Sequence, residues 1–339
     1  MIKLNALIPI RTSDFYNLCL RAFEHAKMPL HKSTFSKKMY GNFVHVFLLV
    51  LKQRLKVSYR RLAALASEFS LNRMLCIKRI PHYTTIQKAL QRLSKSLFEK
   101  LVRACHSLLD MKGMLSAIDG TGFSNTNPSH YYLNRIDGVK VRNYTKTVLL
   151  ADLDSKLILN VNSTSDYQSE TLSFIPLVGE LKHALKCVLA DKGYDSLKNR
   201  SYCDEQGIER HIPHRIFSKS RHQEFGTPDR RALQNKNFDE HLYRRRALVE
   251  STISAIKRAY GSWVCSRKPV NQQKEVALKV LAYNLDHMGT KIRVLILYIC
   301  GGFLHRPNHK KEYIPPCTIS IRRSLWTQKR LFSLYLAWL

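Results

Sequence analysis

Apolar residues recur at every third or fourth position through residues 36–110, the spacing of amphipathic helices. Three runs carry the pattern: FVHVFLLVLKQRLK, SYRRLAALASEF and TTIQKALQRLSKSLFEKLVRACHSLL. Ser58 and Thr84 stand at N-cap positions, where a short hydroxyl side chain accepts from an orphan helix amide. In HYTTIQKALQRLS, Ile86, Leu90 and Leu93 share one face and leave Thr85, Gln87, Lys88, Gln91 and Arg92 largely outward. That pattern suits a helix in a DNA groove, with Lys88 and Arg92 as phosphate contacts. The stretch before this helix is far longer than the ~3–4-residue turn of a helix-turn-helix, so an ordinary helical bundle fits equally well.

From Gly113 onward strands alternate with helices. MLSAID, the two halves of TKTVLLADLDSKLILNVNST around an Asp154-Ser155-Lys156 turn, KCVLA and IERHIPH read as strands. TLSFIPLVGELKHAL and SLKNRSYCDEQG read as helices, and DEHLYRRRALVESTISAIKRAYG as one long helix. The expected organisation is therefore a helical, basic region over residues 1–110, a mixed α/β domain over 111–300, and a basic, aromatic tail over 301–339. Residues 215–237 are rich in Arg, Lys, Ser, Gln and Asn without periodicity and read as a basic loop. The longest apolar run, residues 294–304, is too short for a bilayer span of ~20 residues and reads as core.

Charge sharpens the picture. Lysine and arginine number 56 against 25 acidic residues in 339, a formal net charge of +31. Such an excess points to a polyanion, because each neutralised phosphate releases condensed counterions. The 45% hydrophobic content indicates a folded chain. Eight cysteines without CxxC spacing argue against a disulfide scaffold or zinc ribbon and fit a reducing cytosol. The N-terminus shows no secretory signal pattern, so the expected location is cytoplasmic, at the nucleoid.

Three carboxylates stand out. Asp119 ends MLSAI and precedes Gly-Thr-Gly, and Asp191 ends CVLA and precedes Lys-Gly. A strand end fixes a side chain while its loop leaves room for ligand, so this is where α/β sheets gather functional groups. One such aspartate is ordinarily a turn residue; two in one domain suggest paired metal ligands. On an unbroken helix over 239–261, Tyr243, Arg246, Glu250 and Lys257 fall within roughly a 60° arc, beside an apolar arc of Leu242, Val249, Ile253, Ile256 and Tyr260. A solvated i,i+4 pair of Arg246 with Glu250 explains part of that stripe equally well.

The order Tyr243, Arg246, Glu250, Lys257, with two, three and six residues between, resembles the Tyr-Arg-Glu-Lys signature of insertion-sequence DDE transposases. IDGTGF at 118–123 and ADKGYDS at 190–196 are similar to the blocks that carry that family's two aspartates. The resemblance covers residues 114–285, about half the chain. It implies an RNase H-like mixed sheet flanked by helices and a catalytic triad of Asp119, Asp191 and Glu250. The triad would hold two Mg2+ ions, with Mn2+ as substitute, and Tyr243, Arg246 and Lys257 would position DNA. It further implies hydrolysis at the element end, transfer of the 3′-OH to target DNA, and a homodimer on double-stranded DNA. Ser165-Asp166-Tyr167-Gln168-Ser169 departs from the family's His-Asp-Ser element by lacking histidine, and the short interval from Asp191 to Glu250 leaves no room for a long β-rich insertion.

Hard oxygen ligands suit Mg2+, which is held by a few carboxylates together with substrate phosphate. Cys203, His211, His214 and His222 match no zinc-finger spacing. The sequence has no GxxxxGK[ST] run, so no nucleotide cofactor is expected, and no membrane partner either. Trp263, just past the helix, reads more readily as core than as a base-stacking residue. Two other functions compete: a catalytically decayed, repressor-like DNA-binding protein, and a metal-dependent nuclease that cuts without joining.

Overall fold

The computed structural model describes residues 10–31, 39–125, 144–164, 169–213 and 238–304, with side chains up to residue 292. Among the described residues six helices precede the sheet: α1 (Thr12–His25), α2 (Asn42–Leu55), α3 (Tyr59–Glu68), α4 (Leu71–Met74), α5 (Tyr83–Arg92) and α6 (Lys95–Ser107). The nearly unbroken apolar sequence of α2 is buried along almost its whole length, as a helix apolar on all sides must be.

Strands β1 (Met114–Asn125), β2 (Tyr144–Asp152) and β3 (Ile158–Thr164) form an antiparallel meander. β4 (Leu185–Ala190) and β5 (Glu209–His211) add in parallel on the other side of β1, giving the order β3-β2-β1-β4-β5. The short β6 (Trp263–Val264) pairs with the far end of β1. Helices α7 (Thr171–Gly179) and α8 (Leu197–Glu205) flank β4, and α9 (Glu240–Arg244), α10 (Ala247–Tyr260) and α11 (Pro269–Leu304) follow β5. This is the RNase H-like mixed sheet flanked by helices, behind a helical N-terminal region.

Both faces of the sheet are covered, which is why its central strands read as continuous apolar runs. Ile118, Val148, Leu150, Val188 and Ala190 pack with α7 and α8 in one core. Ala117, Leu149, Ala151 and Leu189 face the opposite way, into a larger core with α10, α11 and the N-terminal helices. The boundary expected at residue 110 falls between α6 and β1, yet this second core runs across it without a break. No helix among the described residues is long and apolar enough to cross a membrane.

Several local expectations change. The third helical run divides at Leu93 because Ser94 caps a new helix by accepting from the Leu97 amide. Ser58 does cap α3, but the cap position of α5 is His82, and Thr84 instead bonds the His82 ring at 2.8 Å. The long helix expected over 239–261 is two helices. Around Arg245 and Arg246 the backbone closes i→i+3 bonds, Arg246 to Tyr243 and Val249 to Arg246, and this tighter winding breaks the 100° spacing. Trp263 is 43% exposed rather than core. The basic loop 215–237, the 165–168 part of the Ser165–Ser169 element, His214 and His222, and the tail beyond 304 lie outside the described residues, as do the side chains of the 294–304 run.

Candidate active site

The register of two parallel strands builds the site. Ile118 pairs with Ala190, so the next residues, Asp119 and Asp191, leave neighbouring strands at the same end of the sheet. β4 stops there. Asp191 caps a single 3-10 turn (Lys192–Tyr194), its Oδ1 accepting from the Lys192 amide at 2.7 Å. β1 continues, and the strand alternation that puts Ala117 in the larger core sends Asp119 to that same side, toward α10.

Glu250 comes from the first turn of α10, which buries Val249, Ile253 and Ile256 and holds the helix against the sheet. Arg246 stands between the two elements. Its Nη2 donates to Glu250 Oε1 at 2.7 Å, and its Nη1 lies 3.8 Å from Asp119 Oδ1. The Asp119 side chain is about one-fifth exposed and that of Glu250 about half. Asp119, Gly120, Thr121, Glu250, Lys257 and Arg258 help wall a cleft of about 470 Å3.

The electrostatics follow from this crowding of acids. Burial raises the Asp119 pKa; the Gly120 amide and Arg246 oppose that shift, while the charges of Glu250 and Glu170 add to it. Burial would lower the Arg246 pKa, but Tyr243 and the carboxylates of Asp119, Glu250 and Asp191 outweigh it and raise it further. The fields of all three predicted carboxylates thus converge on one guanidinium. Lys257 has its ammonium 5.5 Å from the centre of the Phe123 ring, and burial lowers its pKa.

Tyr243 reaches the site from α9. Its ring lies 5.3 Å from Phe238, which in turn lies 5.7 Å edge-on to His211 of β5. Burial raises its pKa, opposed by Arg246. The structure therefore gathers Asp119, Asp191, Glu250, Tyr243, Arg246 and Lys257 at one end of the sheet. Lys88 and Arg92 are elsewhere, exposed on α5. Close to them a groove of about 540 Å3 between α3 and α5 is walled in part by Arg79, His82 and Thr85.

Among the described residues, Cys187, Glu209 and His211 are a further group whose chemistry suggests a metal, with ligand atoms within 4.8 Å of one another. The hydrogen bonding speaks against it. His211 Nδ1 accepts the Asp239 amide at 3.1 Å, so a neutral ring carries its proton on Nε2, 3.0 Å from Glu209 Oε1, and offers no lone pair there. His211 ties β5 to the start of α9.

The sequence reading missed Glu170 and Lys146. Glu170 immediately precedes α7, where an acid is ordinarily a partner of the helix dipole, and Lys146 lies in a strand whose pairing is set only by the fold.

An RNase H-like sheet with one acid within its central strand and a second just past the end of the parallel neighbour, faced by a glutamate from a helix, defines a class. The transposase DDE domain family model matches residues 111–285, and the chain belongs to that family. Among solved structures, the piggyBac transposase synaptic complex with hairpin DNA is similar at 10% identity, over 96% of this chain and 77% of that one. Its TM-score of 0.42 is too low for it to carry any argument about function. No curated protein matches the chain.

Proposed function

We propose that this chain is an active transposase that cleaves DNA at the ends of an insertion sequence and joins the freed 3′-OH to target DNA. The observation that carries this reading is the β1–β4 register, which brings Asp119 and Asp191 together opposite Glu250 in a member of a DDE family. The donor set fits hard divalent cations. Burial, with the charges of Glu250 and Glu170 adding to it, holds Asp119 above its ordinary pKa, and Arg246 opposes that shift, as expected of a site that awaits further positive charge.

Asp119, Asp191 and Glu250 would hold two Mg2+ ions, replaceable by Mn2+, which when bound polarise the scissile phosphate and acidify a water. The rest is the work of the chain's own residues. Arg246 offers a planar pair of donors to phosphate oxygens, Lys257 a point charge, and Tyr243 a hydroxyl. Lys88 and Arg92 on α5 would bind phosphates away from the cleft, with residues 1–110 as the DNA-binding region, 111–300 as the catalytic region and 301–339 as an appended tail. Two element ends require two active sites, hence a homodimer on DNA, acting at the nucleoid.

The test is Mg2+-dependent cleavage and joining of duplexes bearing the DNA that flanks this gene, with Glu250→Gln as control. Cleavage with joining, lost in the variant, supports the reading. Binding without cleavage in either metal supports a repressor-like protein, and cleavage without joining supports a nuclease.

A further inference from the structure

The residue that ties the two aspartate-bearing segments together is outside the signature. Glu170 packs its carboxyl group in the space where any side chain at position 120 would have to go; a Cβ on Gly120 would overlap it. The glycine next to Asp119 is therefore the seat of Glu170. Glu170 Oε2 accepts from the Tyr194 hydroxyl at 3.2 Å, and Oε1 lies 3.3 Å from Lys146 Nζ on β2. Tyr194 closes the 3-10 turn that Asp191 opens and is 1% exposed.

Around this contact the turn of Asp191 is fastened again, to the start of α7 and to α8. Thr171 Oγ1 donates to the Gly193 carbonyl at 2.7 Å, and the buried Asn199 amide donates to the Tyr194 carbonyl at 3.0 Å. One carboxylate thus touches the strand of Asp119, the neighbouring strand β2, and the turn of Asp191. A surface ion pair with Lys146 alone would need neither the glycine seat nor a buried tyrosine hydroxyl.

We propose that Glu170 and Tyr194 form a brace that fixes the separation of Asp119 and Asp191 and so sets the divalent-cation affinity of the site. This rests on the reading of Asp119 and Asp191 as cation ligands. Glu170 acts through the segments it joins and is a positioning residue, in the manner of outer partners whose loss costs ~10–100-fold in metal affinity.

The experiment is titration of the metal-free, full-length protein with Mn2+, with free Mn2+ followed by electron paramagnetic resonance. Asp119→Asn serves as the control for the site itself. Tyr194→Phe removes one oxygen and leaves the packing intact. We expect Tyr194→Phe and Glu170→Ala each to weaken binding about tenfold, and the double variant to bind no more weakly than Glu170→Ala, because both remove one interaction. Glu170→Gln, whose amide oxygen still accepts from Tyr194, retains most of the affinity. Wild-type affinity in Tyr194→Phe overturns the brace, as do additive losses in the double variant. A loss in Glu170→Gln equal to that in Glu170→Ala also overturns it, since the charge and not the contact would then matter. If Asp119→Asn binds Mn2+ as the wild type does, the cation-site reading itself fails, separately from the brace.

Discussion

Arg246 sits where a cation is wanted, and its removal should therefore have opposite effects with and without metal. In the metal-free protein its guanidinium contacts Glu250 at 2.7 Å and Asp119 at 3.8 Å. The Glu250 side chain is 55% exposed, so that pair is screened and contributes about 0.2–1 kcal/mol. The Asp119 contact is longer but less exposed and adds a similar amount, for a total of about 0.4–2 kcal/mol. Arg246→Gln should then lower the melting temperature in chelator by about 1–4 °C, at no more than ~2 °C per kcal/mol for a chain of this length. Metal affinity moves the other way. A unit charge and a divalent ion ~4 Å apart in water repel by about 2 kcal/mol, less after salt screening, so the variant should bind Mn2+ roughly tenfold more tightly. Cleavage should nonetheless fall, because a bidentate phosphate donor is gone. Paired scans in chelator and in Mn2+, with a titration for affinity, read both effects. Mn2+ affinity equal to or weaker than wild type in Arg246→Gln would refute the placeholder argument.

Other consequences can be checked independently. Because the folded-state pKa of Asp119 is raised, the native protein holds its proton over a range where the unfolded chain has lost it; stability in chelator falls as pH rises through the raised pKa. Asp119→Asn should thus be more stable than wild type at neutral pH without metal, lose that advantage when the pH drops below the ordinary aspartate value, and fail to cleave DNA while still binding it. Lys88→Ala and Arg92→Ala should weaken DNA binding across sequences alike and each reduce the slope of log affinity against log salt by about one, read by fluorescence anisotropy. Asp286→Ala should cost about 3–5 kcal/mol in denaturant unfolding. It removes the partner of Arg54, a guanidinium 10% exposed and 2.9 Å away, and the acceptor of the Tyr260 hydroxyl at 2.8 Å.

What could be read from sequence was whatever depends on near neighbours in the chain. The turn at Asp154-Ser155-Lys156, the strand on either side of it, the buried face of α5 and the strand-end position of Asp191 all follow from local pattern, and each is seen in the fold; Asp119 instead lies within β1, which runs on to Asn125 because its second half pairs with β2. The break at Arg245 and Arg246 was not legible, because α9 is turned by Phe238 and Tyr243 packing toward His211, a contact made only after β5 joins the sheet. Glu170 was hidden for the same reason: the glycine that seats it is fifty residues earlier in the chain, across a strand pairing.

The continuity of the larger core carries the same lesson to the scale of domains. A change of period at Gly113 suggests a place to cut, but α11 packs on α6, α2 and β3 together, so residues on both sides of the cut share its buried face. The helix that bears Glu250 is held by the N-terminal region as well. At its C-terminus the Arg258 carbonyl accepts from Lys56, just past α2, and the Tyr260 carbonyl accepts from Lys279. Both lysines sit where the helix dipole favours positive charge. The Tyr260 hydroxyl shares Asp286 with Arg54 of α2. Deleting residues 1–110 therefore exposes the apolar faces of α10 and α11 and removes two of these holds at once. The expected product is insoluble, or an expanded chain that unfolds without a cooperative transition. A soluble 111–304 fragment with cooperative melting would show that the sheet region is a free-standing domain after all, and that the grip of α2 on the glutamate helix has no bearing on the fold.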